Sequence, residues 1–493
     1  MIEKNLPALI PLIFLFSALV IPIMGVWKKR VAYPVAVLTS LSAVILSLYG
    51  FVYVILNGQV TYHFGGWIIG IEYVYDHLSS FISLVINFVA LVVLIHSYLP
   101  VNKELDGKQT AYYSIIMLML TGFNGIIITG DLFNLYVFVE ISSLAGYAII
   151  GVGDRKAPFA AFKYLIIGTI GASFYLLGIG YLYFMSGTLN MADLYIILPL
   201  IEESPTILIA LILIVVGFGI KMALFPMHGW LPDSYTYAPS ASSAIIAPIG
   251  TKVGAYAMIR LLFFVFGFDY FSNVYPAGEI IAAFASVGII FGSVMAIAQK
   301  EMKRMLAYSS VAQIGYIGLG IGLANPFGFI GAVLHILNHA FMKATLFRVA
   351  GIFRIKEGHS DIYKFDDTYR KKYPWTMAAF TVAALSMVGL PPLAGFFSKW
   401  YLALGTIENS SWLFLAVILF SSLLNAVYFF RILEKVYLKS PEKDSGQAEI
   451  KRNEISLSML LPVVVLAVGL IVLGILNFLI VEHIYIMMPE GML

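Results

Sequence analysis

The sequence predicts an all-α polytopic membrane protein with 14 transmembrane helices, two inverted five-helix repeats, and interruptions in helices 7 and 12. Three observations carry this reading. Of 493 residues, 60% are hydrophobic and only 12% charged, more apolar side chain than a water-soluble domain of that length buries. The apolar runs are of membrane-crossing length, about 20 residues each. Lys and Arg then fall on alternate loops. The formal charge of +3, from 30 Lys and Arg against 27 Asp and Glu, gives no footprint for nucleic acid. The absence of cysteine excludes disulfides, thiolate metal sites, iron–sulfur ligation and thiol catalysis in this chain.

Cut at charges, prolines and glycine clusters, the runs place spans at 7–27, 32–56, 78–99, 110–130, 132–151, 159–185, 206–225 with a continuation to 235, 239–264, 276–299, 301–322, 328–353, 374–405, 411–438 and 457–480. Lys28, Lys29 and Arg30 follow the first span, Lys103 and Lys108 the third, and Arg155 and Lys156 the fifth. Lys300, Lys303 and Arg304 follow the ninth; Arg354, Lys356, Lys364, Arg370, Lys371 and Lys372 the eleventh; Lys435, Lys439, Lys443, Lys451 and Arg452 the thirteenth. The loops after spans 2, 4, 6, 8, 10 and 12 hold no Lys or Arg. An even number of crossings in a cell membrane, with both termini on the outer side, satisfies this pattern. A signal peptide at 1–27 would carry its positive charges ahead of the apolar run, whereas here they follow it.

Two spans contain their own breaks. Span 7 runs into Phe225-Pro226-Met227-His228-Gly229-Trp230-Leu231-Pro232, where the prolines remove backbone donors. Span 12 contains Gly389-Leu390-Pro391-Pro392-Leu393-Ala394-Gly395. The breaks lie 166 residues and five spans apart, and Gly146-Tyr147 and Gly315-Tyr316 recur at a similar distance. Five is odd, so a second copy enters from the opposite side, the arrangement of inverted repeats. The chain therefore divides into an N-terminal three-helix segment (1–109), a first repeat (110–265), a second (266–438), and a basic loop with the last helix (439–493).

Several ionisable residues stand where lipid does not tolerate them. Glu140 is nine residues beyond Asp131, about 13 Å into its span at 1.5 Å per residue, and is too short to snorkel. Lys221 precedes the first break, Lys252 lies inside Gly250-Thr251-Lys252-Val253-Gly254, and Lys399 follows the second break. An isolated charge at such a depth costs about 2.5–3.5 kcal/mol on insertion scales and marks either a pathway or a paired structural charge. Glu140 with Lys221 reads as a proton-handling pair or as a static clamp between two helices. His335, His339 and Lys343 recur every four residues, a polar stripe that relays protons or is satisfied in place. No carboxylate or cysteine accompanies the histidines, so no metal site is expected. His228 connects Lys221 to the basic side or caps freed backbone; Lys163 extends the relay or snorkels. Arg260 and Arg348, near span ends, read as interfacial or lipid-facing anchors, and Lys303 with Arg304 as orientation and docking charges.

These residues resemble a known family: the proton-translocating, antiporter-like membrane subunits of respiratory complex I, multisubunit cation/proton antiporters and membrane-bound energy-converting hydrogenases. The resemblance rests on Asp131 to Glu140, KMALFPMHGWLPDSYTYAP from Lys221, Lys252, KRMLAYSS from Lys303, HILNHAFMKATLF from His335, and LPPLAGFFSK ending at Lys399, within 110–438. It implies a hydrophilic axis parallel to the membrane plane. Glu140, Lys221, Lys252 and Lys399 would be its proton-translocating groups, with His335, His339 and Lys343 connecting them. The chain ends soon after helix 14, without the lateral helix of the largest members, and so is more similar to complex I M-type and N-type and antiporter D-type subunits.

The resemblance also implies partners: other antiporter-like subunits, small membrane subunits and a peripheral redox arm, within membrane lipid. The chain has no Rossmann or P-loop signature, so no catalytic redox centre or bound cofactor is expected in it; iron–sulfur, nickel–iron or quinone sites would belong to partner subunits. A redox-driven proton-translocating subunit is thus the leading expectation. A D-type member of a multisubunit sodium/proton antiporter and a structural membrane scaffold are the alternatives.

Overall fold

The computed structural model describes residues 2–66, 70–153, 156–274, 276–438 and 452–492; Arg155, Lys439, Lys443 and Lys451 of the expected basic loops lie outside the described residues. The chain begins with α1 (Ile2–Trp27), α2 (Ala32–Asn57), an antiparallel hairpin of β1 (Val60–His63) and β2 (Glu72–Tyr75), α3 (His77–Glu104), α4 (Gln109–Ile128), α5 (Leu132–Gly151) and α6 (Ala157–Ser186). It continues through α7 (Met191–Ile197), α8 (Pro205–Met222), α9 (Leu231–Tyr237), α10 (Ser240–Phe264), α11 (Ala277–Ile297), α12 (Met302–Leu323) and α13 (Pro326–Glu357). The last elements are α14 (Asp367–Lys372), α15 (Pro374–Val388), α16 (Ala394–Glu408), α17 (Trp412–Leu433), α18 (Leu457–Ile475) and α19 (Asn477–Ile486).

Among the described residues, thirteen helices are long and apolar enough to cross a membrane. Each matches an expected span to within five residues at either end, and the remaining expected span, 374–405, is divided between α15 and α16. Helix starts follow short-range polar chemistry. Asp76 and Ser79 cap α3 reciprocally, each side chain bonded to the other's backbone N–H at 2.8 Å. Asp131 accepts from the Asn134 N–H at 2.6 Å to open α5, and Asn325 from the Gly328 N–H at 2.7 Å to open α13.

Both expected breaks are present and built alike. Helix α8 ends at Met222 because Ala223 turns left-handed at φ 62° and Pro226 offers no backbone donor. The indole N–H of Trp230 then donates to the buried Ile220 carbonyl at 2.9 Å. Helix α15 ends at Gly389, where φ is 92°, a conformation that favours glycine. The hairpin was not expected; alternating Val60, Tyr62, Tyr73 and Tyr75 suit a pleated ribbon, and its register pairs Val60 with Tyr75 and His63 with Glu72.

Helices α10, α12 and α13 form the buried centre, while α1, α2, α6 and α17 present apolar faces outward. On α6 that face is Phe159, Phe162, Ile166, Ile170, Phe174 and Leu177, recurring every three or four residues as a lipid-facing stripe does. Helices α11 and α12 approach so closely that a Cβ on Gly322 would lie 2.5 Å from the Gly278 carbonyl oxygen.

Candidate functional site

The first break places Lys221 in the last turn of α8, where the helix dipole favours a cation. Its ammonium donates to the Ser143 hydroxyl at 2.7 Å and lies 4.0 Å from Oε1 of Glu140, on α5. Glu140 Oε1 is buried without a hydrogen-bond partner among the described residues. A cavity of about 40 Å³ adjoins this pair, lined by Ser142, Ser143, Lys221, Tyr235, Gly250 and Gly254 among others. That is room for one or more waters, which need about 10–15 Å³ each by this measure. It leads from Lys221 to the turn of α10 that carries Lys252.

Lys252 is fully buried and donates to the Ala247 carbonyl at 2.6 Å and Thr251 Oγ1 at 3.3 Å; no carboxylate pairs with it among the described residues. Helix α10 packs against α13, which carries His335, His339 and Lys343. Those three occupy one face of α13, all fully buried. Lys343 donates to the Leu306 carbonyl at 2.7 Å and Ser309 Oγ at 2.5 Å. The His339 ring nitrogens have no partner among the described residues, and the ring stacks 5.8 Å from that of His335.

His335 is held at both nitrogens, by Gln313 Oε1 at 2.9 Å and Ser398 Oγ at 2.8 Å. Ser398 precedes Lys399, which closes the row. The second break leaves the last carbonyls of α15 without helical partners, and the Lys399 ammonium takes those of Met387 and Val388 at 3.0 Å each. It also lies 4.9 Å from the centre of the Tyr316 ring. The row thus runs from Glu140 on α5, through α8, α10 and α13, to Lys399 on α16.

Not every expected residue joins it. Lys163 pairs with Asp233 at 3.1 Å and is 36% exposed, in a cluster where Arg304 also reaches Asp233 at 3.4 Å. His228 is buried beside the first break, stacks on Phe225 and meets the Phe291 ring edge-on, with Nδ1 unpartnered among the described residues. The arginines require correction. Arg260 is no lipid-facing anchor, for it makes a two-point ion pair with Asp76 at 2.6 and 2.8 Å. Arg348 is 1% exposed, because the face of α13 that carries it packs inward. Lys303 is no docking charge either: it is fully buried and donates to the Ala238 carbonyl at 2.7 Å.

The sequence reading missed Ser143, Gln313, Ser398 and Tyr316. Gln313, an amide inside an apolar span, was the one visible signal among them. The serines gave none, since a hydroxyl in an apolar helix is often satisfied by its own backbone.

Fold and site together define a class: a polytopic helical membrane protein whose interrupted helices hold a buried row of ionisable side chains. A family model described as NADH:quinone oxidoreductase/Mrp antiporter, TM, matches residues 129–425, over half of the chain. The NADH-quinone oxidoreductase subunit N of Desulforudis audaxviator is 48% identical over 433 residues, 86% of each chain. The D-type Na+/H+ antiporter subunit of Alkalihalophilus pseudofirmus is 32% identical over 434 residues, 87% of this chain and 86% of that one. Among solved structures, a chain of the membrane-bound sulfane sulfur reductase, an archaeal respiratory membrane complex, superposes with a TM-score of 0.89 at 30% identity, covering 98% of this chain and 96% of that one. The chain belongs to the NADH:quinone oxidoreductase/Mrp antiporter family of membrane subunits.

Proposed function

We propose that the chain is a proton-translocating subunit of a redox-driven membrane complex, and that Glu140, Lys221, Lys252 and Lys399 carry the protons, with His335, His339 and Lys343 connecting the two halves. The observation that carries this is the row of ionisable side chains from the half-buried Glu140 to the buried Lys399, in which each ammonium rests on hydroxyls or carbonyls and, among the described residues, only Lys221 has a carboxylate nearby. Burying such charges costs several kcal/mol each, more than a scaffold requires. A cation that can be discharged and recharged by its neighbours makes that cost useful, because moving charge at Glu140 perturbs Lys221 and then Lys252. The similarity to a quinone oxidoreductase subunit and to a respiratory complex supports an electron-transfer driver located in partner subunits, which would hold any iron–sulfur, nickel–iron or quinone site.

In this reading the first repeat spans 110–265 and the second 266–438. The complex sits in the cell membrane with both chain termini outside, against neighbouring membrane subunits and a peripheral arm. Lys163 and His228 serve the basic side, Lys163 through Asp233 and His228 beside the first break. A second reading is supported by the likeness to a D-type Na+/H+ antiporter subunit: the same row would then exchange protons for sodium. Vesicles containing the assembled complex separate the two. Proton movement that needs an electron donor and survives removal of sodium supports the first reading; movement driven by a sodium gradient without a donor supports the second and overturns the first.

A further inference from the structure

The row has a branch that the proposed function does not use. On α10, Lys252, Tyr256 and Arg260 recur every four residues, so their side chains follow one face at intervals of about 6 Å. Beyond Arg260 lies a second cavity, of about 550 Å³, whose lining includes Glu72, Asp76, Thr129, Tyr256, Arg260 and Glu490. Glu72 and Thr129 belong to loops without Lys or Arg, so this cavity opens on the face away from the basic loops. Three of the residues just named are carboxylates, and Arg260 is the one cation among them.

Between Lys252 and the cavity the contacts are closed. The Tyr256 hydroxyl donates to the Ile127 carbonyl at 2.5 Å and accepts from Arg260 Nε at 3.2 Å and Nη2 at 3.0 Å. Its only proton is committed to a backbone carbonyl and is not free to pass along. Arg260 is locked to Asp76, which is fixed to the start of α3 by its bond from the Ser79 N–H. A guanidinium held across the path also repels an excess proton. Lys252 meanwhile points away from Tyr256, back to Ala247. Its stem is long enough to swing one turn toward Tyr256 if the phenol lets go.

We propose that Tyr256, Arg260 and Asp76 form a closed gate between Lys252 and the acid-lined cavity on the face away from the basic loops, and that Lys252 gives its proton to water in that cavity when the gate opens. The lysine becomes neutral, and the proton leaves as hydrated proton toward Glu72 and Glu490. The proposal rests on the proton-translocation reading and adds an exchange point at the first half of the row.

The test is passive proton leak, without electron donor, into vesicles containing the assembled complex under an imposed potential and read with a trapped pH dye. Arg260→Gln combined with Asp76→Asn removes the cation and its counterion while keeping a neutral contact; the leak rises several-fold, and adding Lys252→Ala returns it to the wild-type level. Unchanged leak in an assembled double variant, or a raised leak that persists with Lys252→Ala, overturns the gate. If the double variant does not assemble, Arg260→Gln alone decides: it removes the guanidinium from the path together with its bonds to the Tyr256 hydroxyl, and a raised, Lys252-dependent leak is expected, with no change overturning the proposal. Donor-driven proton movement, measured separately on the wild type, tests the underlying reading independently of the leak.

Discussion

Glu140 Oε1 and Lys221 Nζ stand 4.0 Å apart, at the outer limit of an ion pair, while Lys221 makes its short bond, 2.7 Å, to Ser143. A clamp would close that distance, because two buried charges recover their desolvation cost only in close contact with further hydrogen bonds. The carboxylate is instead near enough to bias the lysine and too far to trap it. The spacing suits a switch.

Replacing Glu140 with Gln keeps the shape and removes the charge that biases Lys221. Donor-driven proton movement per assembled complex is expected to fall by about tenfold or more, a change of about 1.4 kcal/mol or above in the barrier. The check is proton uptake normalised to subunit content, with assembly followed by gel filtration; unchanged uptake removes Glu140 from the path.

Ser143→Ala removes the closest acceptor of the Lys221 ammonium. Hydrogen bonds to charged groups contribute about 1.5–3 kcal/mol. The freed lysine turns to Glu140, so the pair tightens and proton movement slows while the complex still assembles. A Ser143→Thr variant, which restores a hydroxyl, recovers part of the rate in the same uptake assay.

Lys399→Ala removes the ammonium from the Met387 and Val388 carbonyls at the end of α15; Met387 keeps a 3.4 Å bond from Asn425 Nδ2, and Val388 loses its donor. Buried unsatisfied acceptors cost about 1–3 kcal/mol each, so this variant loses thermal stability as well as proton movement. Thermal denaturation of the detergent-solubilised complex checks the first effect and vesicle uptake the second.

Gly389 tests the second break without touching a charge. At φ 92°, a side chain is disfavoured by about 1–2 kcal/mol, and a Cβ would lie 3.1 Å from Lys399 Cδ. Gly389→Ala therefore shifts the lysine and lowers proton movement. Gly180→Ala on α6, where a Cβ meets nothing within 4 Å, leaves it unchanged.

Spans, breaks and the main charged residues were legible because the membrane leaves few options: apolar runs must be helices, prolines must interrupt them, and deep charges must face protein. Lys221, Lys252, His335 and Lys399 could be picked out singly for that reason. Their order could not be read from internal spacing, since it depends on which helices touch; α10 meets α13 only after folding. The same gap explains the arginines. Nearness to a helix end said nothing about which face Arg260 and Arg348 occupy, and the partner of Arg260, Asp76, lies 184 residues earlier in the chain. The partner of Lys163, Asp233, lies past the first break, where the turn of the chain decides what it meets.

Protons that pass along the row from Glu140 to Lys399 must pass Lys221. The decisive measurement is donor-driven proton uptake into vesicles containing the assembled complex, comparing wild type with Lys221→Ala at equal electron-transfer capacity. Uptake is expected to be lost while the complex remains assembled; uptake equal to wild type would reduce Lys221 to a structural charge and rule out proton passage along the row.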